Sequence, residues 1–170
     1  KPQNMHSRGR AEIYKNAELY NLMMALGIEE SIENLRFNKV VIATDADVDG
    51  FHIRNLLLTF FLTYFEELLF SGHVYILETP LFRVRNKKET RYCYSEKERD
   101  SAAKALGANP EMTRFKGLGE INPKEFAQFI GDNIRLVKAS DIPISQVPRT
   151  LEFYMGKNTP ERKEYIMENL

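Results

Sequence analysis

The apolar positions fall into a few clear rhythms along the chain. From residue 10 to residue 26, Ile13, Ala17, Tyr20 and Met24 recur at helical spacing, with Tyr14, Met23 and Leu26 widening the stripe and Gly27 placed to end it. Residues 39–44, Lys-Val-Val-Ile-Ala-Thr, form a short β-branched run without polar alternation. That pattern predicts a central strand buried on both faces. After the turn Asp-Ala-Asp-Val-Asp-Gly, a helix is expected from about His52 to Phe70, apolar nearly all round and closed by Ser71-Gly72. Strands follow at 73–78 and 81–85 around Thr79-Pro80. Strand, long helix and strand in succession predict a βαβ unit with a parallel sheet.

Farther along, the pattern predicts a strand near 91–94 and a helix from about 96 to 106, opened by Ser95 and Glu98 and stopped by Gly107. A short strand then leads into the Gly-rich turn Lys116-Gly-Leu-Gly-Glu120. Asn122, Pro123 and Glu125 are the cap, first-turn proline and reaching carboxylate of another helix. Residues 143–155 read as helical, and Thr159-Pro160 opens a last helix to the end of the chain. The predicted class is α/β, divided into residues 1–108 and a small, mostly helical tail subdomain over 109–170.

Composition adds limits. The chain has 170 residues, 43% of them hydrophobic, with 11 Phe and 8 Tyr, an ordinary globular balance. Lys plus Arg and Asp plus Glu number 24 each, so the formal charge is zero. A neutral chain is not a whole-surface nucleic-acid clamp, and any such contact has to be local. Basic residues cluster at Lys1, Arg8, Arg10 and Lys15 and again at Arg83, Arg85, Lys87, Lys88 and Arg91. On charge alone both clusters read as solvated faces. One cysteine, Cys93, cannot form an internal disulfide, which fits a reducing, cytoplasmic setting. The run from Leu56 to Phe70 is interrupted by Glu66 and Glu67 and is too short to span a bilayer.

The candidate chemistry lies in Asp45, Asp47 and Asp49, at i, i+2 and i+4 directly after a buried strand. Carboxylates this close repel one another, and a hard cation with oxygen ligands, Mg²⁺ above all, would compensate them. In open parallel sheets, ligands gather at the carboxyl ends of strands. An EF-hand is rejected, because the position needing a bidentate glutamate is Leu56 and the preceding segment is a strand. The simpler alternative is an acidic turn in which Asp49 caps the next helix. A cap needs one carboxylate, whereas here there are three. His52 and Arg54, expected in the first helical turn, place positive charge where a phosphate could lie.

Thr44-Asp-Ala-Asp-Val-Asp-Gly-Phe-His-Ile-Arg54 resembles the Toprim metal motif of the B subunits of bacterial type IIA DNA topoisomerases. Gly72-His-Val-Tyr-Ile and Pro80-Leu-Phe-Arg-Val resemble its next strands, and Arg114-Phe-Lys-Gly-Leu-Gly-Glu120 its Arg-aromatic-Lys-Gly-Leu-Gly-Glu motif. Lys1-Pro-Gln-Asn4, Met155-Gly, Arg162 and Tyr165-Ile166 complete the likeness, which runs across nearly the whole chain.

The resemblance implies a Toprim-type parallel sheet flanked by helices, with the family's first strand lying before Lys1. It implies an enzyme that uses Mg²⁺ at two sites, with Asp45 bridging them, Asp47 ligating one and Asp49 supporting the site. Lys1, His52, Arg54 and Arg162 fall at DNA-contacting positions. The turn of Arg114, Lys116, Gly117, Gly119 and Glu120 falls near the site and near the family's other subunit type. The family's general acid/base glutamate belongs to an earlier segment, ATP binds in another region, and the nucleophilic tyrosine lies on the topoisomerase A subunit. The implied partners are double-stranded DNA and that A subunit, in a heterotetramer of two copies of each polypeptide, with no membrane. The stretch after Glu120 and the absence of a large insertion lean to the topoisomerase IV branch over the gyrase branch. The alternatives are a gyrase B subunit, a docking fragment that binds the A subunit and DNA without metal, or another Toprim protein such as a primase or nuclease. The last is opposed by the Lys-Gly-Leu-Gly-Glu and C-terminal motifs.

Overall fold

Asn16 shapes the first segment: its backbone is extended and its side chain accepts the Leu19 amide, which caps a helix beginning at Ala17. The computed structural model, which describes residues 1–140 and 143–169, therefore divides the expected single helix in two. These are α1 (Ala11–Lys15) and α2 (Ala17–Leu26), the second closed by Gly27 in the left-handed region. A short polar side chain that captures a backbone amide favours a new helix start over an unbroken one.

Next come β1 (Val40–Ile42), α3 (Val48–Tyr64), α4 (Glu66–Phe70) and β2 (Val74–Leu77). Two expectations are corrected here. The long helix begins four residues earlier than the pattern suggested and breaks at Phe65, whose ring is buried. β1 ends a sheet of order β1-β2-β6, where β6 is Leu136–Lys138, and Val41 is 38% exposed. Among the described residues it is an edge strand, because a β-branched run reports propensity and not the number of neighbours. β6 is not legible in the sequence pattern; three residues are too few to show a rhythm. The remaining elements are β3 (Phe82–Arg85), β4 (Thr90–Cys93), α5 (Glu96–Ala105), β5 (Glu111–Arg114), α6 (Pro123–Ile130), α7 (Val147–Met155) and α8 (Thr159–Glu168). The expected continuation of α8 to the chain end includes Leu170, which lies outside the described residues.

The chain forms two compact units. One comprises Lys1–Val41, Ile53–Tyr75 and Lys138–Leu170. Its buried side chains include Met5, Ile13, Leu19, Met23, Phe60, Phe61, Leu68 and Leu69. Phe60 lies 5.3 Å, centroid to centroid, from both Phe61 and Phe65. The N-terminal segment is tied down by polar contacts. Asn4 donates to the Met155 carbonyl at 2.9 Å, His6 Nε2 lies 2.8 Å from Glu152 Oε2, and Tyr64 donates to the Arg8 carbonyl.

The other unit comprises Ile42–His52 and Ile76–Val137. β3 is the middle strand of an antiparallel sheet, with Phe82 opposite Cys93 and Arg114, and Arg83 opposite Tyr92 and Thr113. The two-residue period sends Phe82 and Val84 to one face, where Cys93, Ala102 and Leu106 complete a buried cluster with α5. Arg83 lies on the opposite face with Thr113 and the α6 carboxylate of Glu125. A second apolar cluster of Phe115, Ile121 and Phe129, with Tyr92, Leu118 and Phe126 against it, anchors α6. α6 starts at Asn122 with a complete capping box and a first-turn proline, as the sequence indicated. Ser95 likewise caps α5, although Glu98 accepts the amide of Tyr94 and not that of the cap residue.

Candidate metal and DNA site

β1 ends at Ile42, and the buried Thr44 leads into the acidic turn. Asp47 is the residue that caps α3: its Oδ1 accepts the Gly50 amide at 2.7 Å and its carbonyl accepts the Phe51 amide at 2.9 Å. The capping role considered for Asp49 thus belongs to Asp47, because the helix starts at Val48. Asp49 sits within the first turn, where the helix dipole favours a carboxylate. Gly50 is required by close approach: a Cβ there would stand 2.0 Å from the Asp45 carbonyl oxygen and 2.7 Å from its carbon. The Asp-x-Asp-x-Asp-Gly spacing is therefore a folding instruction as well as a set of oxygens.

Asp45 is held by the Gly-rich turn 73 residues downstream. The Leu118 amide donates to Asp45 Oδ1 at 2.7 Å. The carboxylate also lies so close to Gly117 that a Cβ would be 3.1 Å from its Cγ. That turn is itself closed by Glu120, whose Oε2 accepts the Lys116 amide at 2.9 Å, and Leu118–Glu120 form one turn of 3₁₀-helix. Arg114 is exposed and its guanidinium lies 6.0 Å from the Phe82 ring centroid. Gly119 is exposed and has open space where a Cβ would stand.

Among the described residues no group of three or more His, Cys, Asp or Glu side chains converges as a metal cage. The donors at the turn are carboxylate oxygens, the ligands of a hard cation. Mg²⁺ typically takes one or two carboxylates and keeps several waters. Asp45 and Asp47 fit that mode of binding and not an all-protein cage.

The basic residues fall into distinct settings. His52, the fifth residue of α3, is exposed, and Lys1 is exposed at the chain start. Arg54 is half-buried, and burial pulls its guanidinium below the usual range. Arg162 Nη1 donates to the carbonyls of Phe153 at 3.0 Å and Gly156 at 2.9 Å and to Asn158 Oδ1 at 3.0 Å. It thereby fastens the corner between α7 and α8. The cluster read as a solvated basic face is largely neutralised. Arg83 lies 2.7 Å from Glu125, Arg85 2.9 Å from Glu111 and Arg91 2.7 Å from Glu89. Burial raises the phenols of Tyr64, Tyr92 and Tyr94, and a Glu29 hydrogen bond raises that of Tyr14. Cys93 is buried, and desolvation raises its thiol.

The strand, acidic turn and start of the following helix lie within residues 6–79, which match the Toprim domain family. Comparison with curated proteins is more particular. The chain is 67% identical over 171 residues, all of its length, to the B subunit of DNA topoisomerase 4 of Borreliella burgdorferi. It is 37% identical over 177 residues, 98% of its length, to the B subunit of DNA gyrase of Thermus thermophilus. Over its whole length the chain is therefore similar to part of the B subunits of type IIA topoisomerases, the likeness the motifs carried. It spans 28% of the length of both relatives. A crystal structure of the Plasmodium falciparum topoisomerase II DNA-binding, cleavage and re-ligation domain shares the fold, with a TM-score of 0.67 over 78% of this chain and 19% of that one, at 24% identity. No helix among the described residues is long and apolar enough to cross a membrane.

Proposed function

We propose that this chain is the Mg²⁺-dependent DNA cleavage and religation portion of the B subunit of an ATP-dependent type IIA topoisomerase of the topoisomerase IV kind. Its partners are duplex DNA and a tyrosine-bearing A subunit, assembled in the cytoplasm as a heterotetramer. The observation that carries the reading is Asp45, fixed at the end of a strand by the Leu118 amide from the Lys-Gly-Leu-Gly-Glu turn. The end-to-end 67% identity to the B subunit of a topoisomerase 4 supports the choice of branch over gyrase.

Asp45 and Asp47 would hold Mg²⁺, which supplies Lewis-acid polarisation of a phosphate and stabilises charge on the departing oxygen. The chain's own residues orient and neutralise. The Leu118 amide occupies one lone pair of Asp45 Oδ1 and holds that oxygen towards the Gly-rich turn. Asp47 sets the helix start, and Asp49 supports the turn from within the first helical turn. The amino end of α3 and His52 favour a nearby phosphate. Lys1, Arg54 and Arg162 serve as further DNA contacts. The general acid/base glutamate, the nucleophilic tyrosine and the ATP site belong to other segments of the assembly.

The test is plasmid cleavage by the full-length B subunit with its A subunit and Mg²⁺, trapped with detergent. Metal-dependent double-strand breaks should be lost in Asp45→Ala while ATP hydrolysis persists. Breaks at the wild-type level in that variant would refute the assignment. The lack of a three-carboxylate cage among the described residues favours one second reading, a docking portion that holds no metal by itself. Calorimetric titration of the chain with Mg²⁺ separates the two.

A further inference from the structure

We infer that Arg83 is a positioning residue for Asp45, acting through the 116–121 turn. Arg83 sits on the middle strand β3, directly opposite Thr113 and Tyr92. Its Nη1 donates to Glu125 Oε1 at 2.7 Å and its Nη2 to Thr113 Oγ1 at 3.3 Å. Its guanidinium carbon lies 5.8 Å from the centroid of the Phe115 ring. The side chains of Arg83 and Glu125 are only 17% and 21% exposed. Tyr92 donates to the same Glu125 oxygen at 3.0 Å, and Glu125 Oε2 accepts the Asn122 amide at 3.4 Å.

These contacts fall on both ends of one loop. Thr113 and Phe115 lead into the turn; Asn122 and Glu125 receive the chain as it leaves. Arg83 bridges the two ends, and Phe115 and Ile121 close beneath the loop in one apolar cluster. At the top of the same loop stand Gly117 and Leu118, which the downstream motif sets against the Asp45 carboxylate. A one-turn 3₁₀ segment has few internal bonds to hold it in place. The height of Leu118 above the sheet is therefore set by the clamp at its base. Removing the guanidinium leaves the half-buried Glu125 carboxylate without its counter-ion, and such a charge moves towards water. α6 and the trailing end of the loop move with it.

The inference rests on Asp45 being a metal ligand only for its functional consequence. The experiment therefore has two arms. In the first, amide hydrogen exchange of the chain is compared between wild type and Arg83→Met without metal or DNA. The Leu118 amide should exchange about tenfold faster while the β3–β4 ladder keeps its protection. In the second, the full-length B subunit with its A subunit is assayed for cleavage against Mg²⁺ concentration in Arg83→Met, Asp45→Asn and the double variant. Arg83→Met should raise the half-saturating Mg²⁺ concentration about tenfold, the scale expected when a ligand's supporting partner is lost. Asp45→Asn, which removes the proposed ligand charge, should give no Mg²⁺-dependent breaks with or without Arg83→Met. Glu125→Gln, which keeps an acceptor for Arg83, should hold most of the Leu118 protection. Unchanged Leu118 exchange in Arg83→Met, or equal loss across the whole ladder, overturns the inference. A faster Leu118 with no Mg²⁺ shift in Arg83→Met overturns the positioning of Asp45 by this clamp, while Mg²⁺-dependent breaks at the wild-type level in Asp45→Asn refute the metal role of Asp45 instead.

Discussion

Replacing Gly117 by alanine isolates the contact between the two motifs. The Gly117 backbone is extended, φ −145° and ψ 165°, so an alanine meets no dihedral penalty there. Its Cβ would stand 3.1 Å from Asp45 Cγ and Oδ1 and 3.2 Å from Oδ2, tighter than ordinary van der Waals contact. Either the carboxylate or the turn must give way by a few tenths of an ångström. A displaced carboxylate loses its Leu118 bond, worth about 1.5 kcal/mol at such an exposed place. Alanine returns about 0.4–1 kcal/mol by restricting the unfolded chain. Net stability should therefore fall by about 1 kcal/mol, roughly 2–4 °C in Tm for a chain of this size. The metal dependence should change far more, with the half-saturating Mg²⁺ for DNA cleavage rising about tenfold. The assay is cleavage against Mg²⁺ with the full-length B subunit, its A subunit and plasmid, beside thermal unfolding of the chain. A Tm drop of this size with an unaltered Mg²⁺ midpoint would refute the idea that this glycine exists to seat Asp45.

Three further outcomes follow from the same geometry. Gly50→Ala places a Cβ against the Asp45 backbone, which cannot rotate away, so it should cost about 3 kcal/mol or more, measured by urea unfolding. Arg162→Ala removes a donor to the Phe153 and Gly156 carbonyls and should destabilise the chain by about 1–3 kcal/mol in the same unfolding assay; Arg162→Lys, without the planar fork, should not restore it. Burial first, and then the Glu125 hydrogen bond, push the Tyr92 phenol up to about 12 from an ordinary 10.0. A raised folded-state pKa stabilises fully below the unfolded value. Stability should therefore decline as pH climbs from about 10 to about 12, and Tyr92→Phe should flatten that decline in unfolding experiments.

Much of this protein was determined by local sequence. Asn122-Pro123 with Glu125, Ser95 before α5 and Gly27 after α2 act within a few residues of themselves, so their helix ends were legible without any tertiary contact. The acidic turn and the Gly-rich turn were legible too, because each is a continuous motif. What only the tertiary structure decided concerns partners distant along the chain. The pairing of Asp45 with Leu118 spans 73 positions, and no spacing rule connects an amide to a carboxylate that far away. Asp47 rather than Asp49 became the cap because α3 starts at Val48, a boundary that an Asp-rich stretch leaves ambiguous by a turn. Arg83 read as one of several surface charges until β3 placed it across from Thr113 and beneath α6, where Glu125 neutralises it. Local propensity chooses where an element begins and ends. Which charges meet depends on strand register and helix packing, and these follow from burying Phe82, Val84, Phe115 and Phe129 together with the rest of the core.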